Sequence, residues 1–467
     1  MTRSAFLRLF SFFLVAFAGV SCLLVFSVPA PAALSDRVSD YTLSNGLKVI
    51  LVENHKTPLI SFQVWYRVGS RNEAWGKTGL SHMLEHMMFK GTPKVGPGVF
   101  SRTIEQNGGD DNAFTSTDFT AYFENMSADR IGIPITLEAD RMEDLVLREE
   151  DFKTERSVVM EERRMRTDDN PKAVLVEQVE AAAFQIQPYH WPVIGWMQDI
   201  ARFSIEDLRA YRRTYYVPAN AIVVAVGDFK KETALPLIEK AFGTIPAGVA
   251  PDQTRGQEQP QIGERRVFVR KEAQVASVLK AYHVPNLKDP DAYVLEVVEA
   301  LLSAGESSRL TRSLVREKQL ALSADASNQL VSRDPNLFSV SADVMPGKTV
   351  DQVEKALDEQ IAALSHTSVN ARELEKAKNQ LESSFILAQD SLFYQGMLLA
   401  SYEVASSWKE IDKYVPAIRA VSAEDVKRVA AKYLVPANCT TGVLLPIPSA
   451  SKKPVAPGTL EQGKTVR

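Results

Sequence analysis

Two different periods of apolar and polar positions run along this chain, and they predict its elements. Tyr41 to Val52 holds the pair Asn45-Gly46 just ahead of Leu47-Lys48-Val49-Ile50-Leu51-Val52. Asn-Gly supplies the positive φ angles of a tight turn, so a hairpin leading into a strand is expected. Leu59 to Val68, rich in β-branched and aromatic residues, predicts a second strand. From Gly79 to Phe89, from Ile135 onward and from Asp151 to Met165 the pattern is helical. The unbroken apolar run Ala221 to Gly227 predicts a buried strand. Strands pair with helices in long alternation, which makes the fold class α+β, mixed sheet plus helices.

One part of the pattern occurs twice. Ser204-Ile205-Glu206-Asp207 through Val217-Pro218-Ala219-Asn220 returns, 218 positions later and without a gap, as Ser422-Ala423-Glu424-Asp425 through Val435-Pro436-Ala437-Asn438. Each copy opens with a serine and acids in the order that caps a helix, and each helical pattern ends at proline. A duplication predicts two homologous domains. The polar, Pro/Gly/Gln-rich stretch between them marks the seam, giving a first half at 40–245, a linker at 246–263 and a second half at 264–446. Residues 447–467 turn to Ser, Lys, Pro and Gly and read as a disordered tail.

Composition then excludes several classes. With 467 residues, 45% apolar and 24% charged, the chain is long enough for two cores and is ordinary globular material. A net charge of -4 carries no nucleic-acid footprint, so no nucleic-acid partner is expected. Residues 1–33 differ from the rest: Arg3 and Arg8, an uncharged run from Leu9 to Val28, then Ala30-Pro31-Ala32. This reads as a signal peptide with an A-x-A cleavage site, or as a membrane anchor, since about 20 apolar residues span a bilayer. Both predict export to the periplasm or another extracytoplasmic space. Cleavage would leave Cys439 as the only cysteine, so no internal disulfide is expected.

The chemistry-bearing stretch is Gly79-Leu80-Ser81-His82-Met83-Leu84-Glu85-His86-Met87. On a helix His82 and His86 stack one turn apart on one face and can share a metal ion, with Glu85 beside them as general base toward water. H-x-x-E-H is the inverted zincin order. With 6 His and 58 acidic residues in 467, random placement yields about 0.01 such motifs. The competing reading, two buried histidines with a salt-bridging Glu, must find separate partners for two imidazoles. A catalytic zinc takes three protein ligands and keeps one position open. The helical, acidic segment Glu155 to Arg164 offers Glu155, Glu161 and Glu162, and spacing alone leaves all three open.

These motifs resemble those of the pitrilysin/insulinase family, in particular its short branch, which includes the β subunit of the mitochondrial processing peptidase and bacterial zinc proteases. The resemblance covers about residues 40 to 446. In that branch the glutamate ligand stands about 76 residues beyond the second histidine, which gives Glu162 the ligand role and Glu155 a supporting one. It also implies that Asn112, Ala113 and Phe114, in Asn107-Gly108-Gly109-Asp110-Asp111-Asn112-Ala113-Phe114-Thr115-Ser116, lie on an edge strand that holds substrate main chain. The second half shows no H-x-x-E-H; its matching helix reads Val297-Val298-Glu299-Ala300-Leu301-Leu302.

One departure bears on partners. The family's second half often carries an Arg and a Tyr that bind substrate near the scissile bond. Here Arg316 stands, but Leu322 occupies the Tyr position, and leucine donates no hydrogen bond to an oxyanion. The resemblance therefore implies a homo- or heterodimer whose homologous subunit supplies the Arg/Tyr pair. The expected function is an exported zinc-dependent endopeptidase of peptides or unfolded segments, with one Zn²⁺ per chain held by His82, His86 and Glu162. The alternatives are a non-catalytic assembly subunit on the same fold, and a structural zinc site recruiting Cys439.

Overall fold

The computed structural model describes residues 34–252 and 256–447, so the leader at 1–33 and the tail beyond 447 lie outside the described residues. Of the described residues, 34–37 fall in a separate unit, with Ser35–Arg37 as one 3-10 turn. Both halves of the duplication belong to the unit that begins at Val38.

The first half is built on strands β1 (Val38–Thr42), β2 (Lys48–Glu53), β3 (Leu59–Tyr66), β4 (Asp110–Thr115), β5 (Thr120–Ser127) and β6 (Ala221–Gly227). They lie in the order β1-β2-β6-β3-β5-β4. The hairpin forms, β1 pairing antiparallel with β2, but Gly46 alone of the Asn-Gly pair takes a positive φ, +84°, while the Asn45 amide donates to the Phe242 and Ile245 carbonyls at 2.8 and 3.0 Å. All seven residues of β6 are buried, as the apolar run requires.

The second half uses β7 (Arg265–Glu272), β8 (Ser277–Val284), β9 (Ala321–Ser327), β10 (Asn336–Val344) and β11 (Cys439–Ile447), ordered β7-β11-β8-β10-β9. Without β1, the first sheet has the same order strand for strand. Among the described residues each sheet has one parallel pair, and it falls in the same place, β2 with β6 and β7 with β11, all other pairs being antiparallel. The repeat seen in the sequence is a structural one: helices Ile205–Tyr215 and Ala423–Tyr433 both start in capping boxes, Ser204 with Asp207 and Ser422 with Asp425. Asn220 and Asn438 then close the turns by donating to the Tyr215 and Tyr433 carbonyls at 2.9 and 2.8 Å.

Each half covers the other's sheet with one helix. Pro171–Ala183, from the first half, packs on β7, β8 and β11, while Leu392–Ala405, from the second, packs on β3 and β6. Leu175 and Val179 are buried among Leu279, Ala281 and Leu444, each contributing about 1.5–3 kcal/mol. Both contacts are close, and a larger residue at either glycine would make a side chain shift. A Cβ on Gly442 of β11 would lie 2.3 Å from Val179 Cγ2, and one on Gly396 would lie 2.5 Å from the Gln63 amide.

A polar clasp adds a second tie between the halves. Asp118, in the turn between β4 and β5, has Tyr189 Oη at 2.7 and 2.8 Å from its two oxygens and accepts the Arg333 N–H at 3.0 Å. Arg71 pairs with Asp118 and with Asp334 of the connection between β9 and β10. The stretch joining the halves is docked too, since the Glu258 carboxylate accepts the backbone N–H groups of Gln185, Ile186 and Gln187.

Candidate metal centre

The helix Leu80–Met87 turns Leu80, Met83, Leu84 and Met87 into the core and leaves His82, Glu85 and His86 on one cavity wall. Its start is fixed by two devices. Gly79 takes φ +92°, and a Cβ there would lie 2.6 Å from the Ile194 carbonyl, so only glycine fits. The buried Glu73 carboxylate then accepts the N–H groups of Gly79 and Ser81, both at 2.7 Å, at the end of the helix where negative charge is favoured. Burial still pushes Glu73 up to about 8.

The third contributor comes from Glu149–Arg163, a helix whose buried stripe is Phe152, Glu155, Val159 and Arg163. Of the three acids left open by spacing, Glu162 faces the histidines. Its Oε2 lies 3.7 Å from His82 Nε2 and 3.2 Å from His86 Nε2, and the three donor atoms all fall within 4.8 Å of one another. Tetrahedral zinc with bonds of about 2.0–2.1 Å places its ligand atoms about 3.3 Å apart, so the donor set and its spacing fit that ion. Glu155 instead takes His86 from behind, with Oε1 2.8 Å from Nδ1, and is itself held by Lys90 at 2.5 Å. Glu161 points outward to Arg164. Among the described residues no thiol joins the cluster; Cys439 is buried in the second sheet beside Thr441.

Electrostatics separates the two imidazoles. Burial, reinforced by the charge of His86, takes His82 down to about 4, leaving it neutral with a lone pair available. Burial would lower His86 as well, but its hydrogen bonds to Glu155 and Glu162 outweigh that and raise it to about 9. Glu162 is held below the usual carboxylate range, first by its hydrogen bond to His86. Burial raises Glu85, whose Oε2 accepts the Thr115 hydroxyl at 2.5 Å.

The group opens onto a cavity of about 950 Å³ that the edge strand β4 helps to line through Asn112, Ala113, Phe114 and Thr115. Asn112 Oδ1 accepts the Ala113 N–H at 2.8 Å, and Phe114 packs edge-on against Trp65 at 5.7 Å. Arg166 reaches in from the π-helical turn Arg164–Asp168, and its Nε forms an ion pair with Glu162 Oε1 at 2.9 Å, leaving Oε2 for the histidines. Arg316 is not brought here: it lies in the turn Thr311–Glu317, paired with Glu306, and does not line the cavity. It precedes β9 in the second sheet, as Val99–Gln106 precedes β4 in the first. Sequence reasoning missed Lys90, Thr115 and Arg166. Lys90 follows His86, and Arg166 follows Glu162, by the four residues that stack side chains on a helix, which was a usable signal. Thr115 had none.

No helix of the described residues is long and apolar enough to cross a membrane. The family profile described as Insulinase (Peptidase family M16) matches residues 48–195, and that described as Peptidase M16 inactive domain matches 202–381. The chain is 34% identical to a protein of Helicobacter pylori named zinc protease PqqE, over 87% of this chain and 92% of that one. It is 26% identical to a probable mitochondrial-processing peptidase subunit beta of Arabidopsis thaliana, over 87% of this chain and 78% of that one. A crystal structure of a protease from Helicobacter pylori superposes with a TM-score of 0.84 at 34% identity, over 88% of this chain and 99% of that one.

Proposed function

The chain belongs to the insulinase family of peptidases, M16, and from that premise we propose that it is an exported zinc-dependent endopeptidase cleaving peptides or unfolded protein segments. The observation that carries this reading is the convergence of His82, His86 and Glu162 beside Glu85, on a cavity that the open edge of β4 lines. His82 and His86 would hold the ion through Nε2 and Glu162 through Oε2. Glu155 fixes the His86 ring by accepting from Nδ1, and Arg166 pairs with Glu162 at Oε1. When bound, zinc supplies the Lewis acidity that makes water a nucleophile at neutral pH and polarises an amide carbonyl.

The remaining steps belong to the chain. An extended peptide adds to the free side of β4 through main-chain hydrogen bonds, which tolerates varied side chains. Glu85 takes the proton that the attacking water gives up and returns it to the leaving amine. Arg316, outside the cavity, and Leu322, which has no hydroxyl, support a homologous second subunit as the source of the missing Arg/Tyr pair. The leader at 1–33 supports export. The non-catalytic alternative is disfavoured by the complete set of His82, Glu85, His86 and Glu162.

Zinc content and cleavage of an unstructured peptide provide the test. Glu85→Gln should keep about one zinc per chain and lose hydrolysis by at least about a thousandfold, and His82→Ala should lose both. Full turnover by the Gln variant would remove Glu85 from the chemistry.

A further inference from the structure

Thr115 ends β4, and its hydroxyl makes the one side-chain hydrogen bond that the Glu85 carboxylate receives among the described residues. We propose that Thr115 is a positioning residue for Glu85, holding Oε2 so that Oε1 alone faces the reacting water, and tying the base to the strand on which substrate docks. The proposal rests on the reading of Glu85 as general base.

The chemistry of a proton shuttle motivates it. A free carboxylate rotates and offers either oxygen. A donor fixed on Oε2 leaves Oε1 as the atom that takes up the proton. After that transfer Oε2 is a carbonyl oxygen and still accepts from a hydroxyl. The hydrogen bond therefore survives both protonation states, and the proton can be taken and released without rotating the side chain. Arrangement of this kind before the reaction is where much catalytic power resides.

The strand gives the second half of the argument. Among the described residues β4 is an edge strand paired only with β5, Ala113 opposite Tyr122 and Thr115 opposite Thr120. Its free side lines the cavity, so a peptide added there settles the strand's position. Through Thr115, two residues beyond Ala113, that position is also the position of Oε2. Phe114, packed on Trp65, anchors the same end of the strand from the other face. Docking and base alignment thus share one short element.

The test compares the full-length wild type with Thr115→Val, Thr115→Ser and Glu85→Gln, measuring zinc per chain, melting temperature, kcat and KM on an unstructured peptide. Valine keeps the shape and removes the donor. Thr115→Val should lose about ten- to hundredfold in kcat, the usual cost of a hydrogen bond to a charged group, with KM changed less than about twofold and zinc content and melting temperature as in wild type. Thr115→Ser should recover kcat to within about threefold. If Thr115→Val turns over like wild type while Glu85→Gln is inactive, the positioning role is wrong and the base reading stands. If its loss comes with lost zinc or a lower melting temperature and serine does not rescue it, Thr115 is merely structural. Turnover by Glu85→Gln overturns the base reading and this inference with it.

Discussion

Replacing Glu155 by glutamine should change how many protons the metal centre releases when it takes up zinc. In the metal-free chain His86 is held at about 9, burial working against it and the carboxylates of Glu155 and Glu162 for it. A group raised in the folded state keeps its proton below that value and gives it up above. At pH 7.5 the ring is therefore almost fully protonated, and a metal binding at Nε2 must displace about one proton. Each pH unit below about 9 then costs about 1.4 kcal/mol of apparent zinc affinity, or about a hundredfold between pH 9 and pH 7. His82, down at about 4, adds nothing in this range.

Glu155→Gln removes the nearer of the two carboxylates that raise the ring and leaves Glu162, so at pH 7.5 the variant should release fewer protons than the wild type. Calorimetric titration of the apo chain in buffers of differing ionisation enthalpy counts the protons directly. The same variant should also bind zinc about 10–100-fold more weakly at pH 9, where the proton no longer matters, because the ring has lost its orienting partner. Zinc affinity that is flat from pH 6 to 9, or a glutamine variant that still releases a full proton, would refute the reasoning.

Two further outcomes test the fold. Gly442→Ala, whose new methyl meets Val179 at 2.3 Å, should destabilise the chain by about 1–3 kcal/mol in chemical denaturation; an unchanged midpoint would mean that the Pro171–Ala183 helix can back away freely. Ser204→Ala and Ser422→Ala, which remove equivalent caps with nearly the same backbone angles, should each cost about 1 kcal/mol, and a difference of more than about 1 kcal/mol between them would show that the two helices are not equivalently loaded.

How much of this was legible in the sequence depended on distance along the chain. The histidine pair and its glutamate could be read because one helical turn brings them together. The duplication could be read because capping boxes and their proline terminators carry local signatures. Glu162 needed a family resemblance, since Glu155, Glu161 and Glu162 share one acidic helix and only tertiary packing decides which faces a histidine some 76 residues away. Thr115 and Glu85 meet across 30 residues, and Asp118 and Arg333 across 215; no periodicity encodes such pairs. The resemblance also placed Arg316 among residues at the substrate, whereas its turn lies before the second sheet's edge strand and outside the cavity. Nor does the pattern of Pro171–Ala183 say which sheet it will cover.

That exchange of covering helices has a consequence for how the chain can be cut and joined. A nick within 246–263 would yield two fragments, each with a sheet face stripped bare and an apolar helix left without a seat. Neither fragment should be soluble by itself, but co-expressed they should find one another. Two whole chains trading the same arms would make an intertwined pair with the contacts of the monomer, and the short connection between the halves governs which outcome wins.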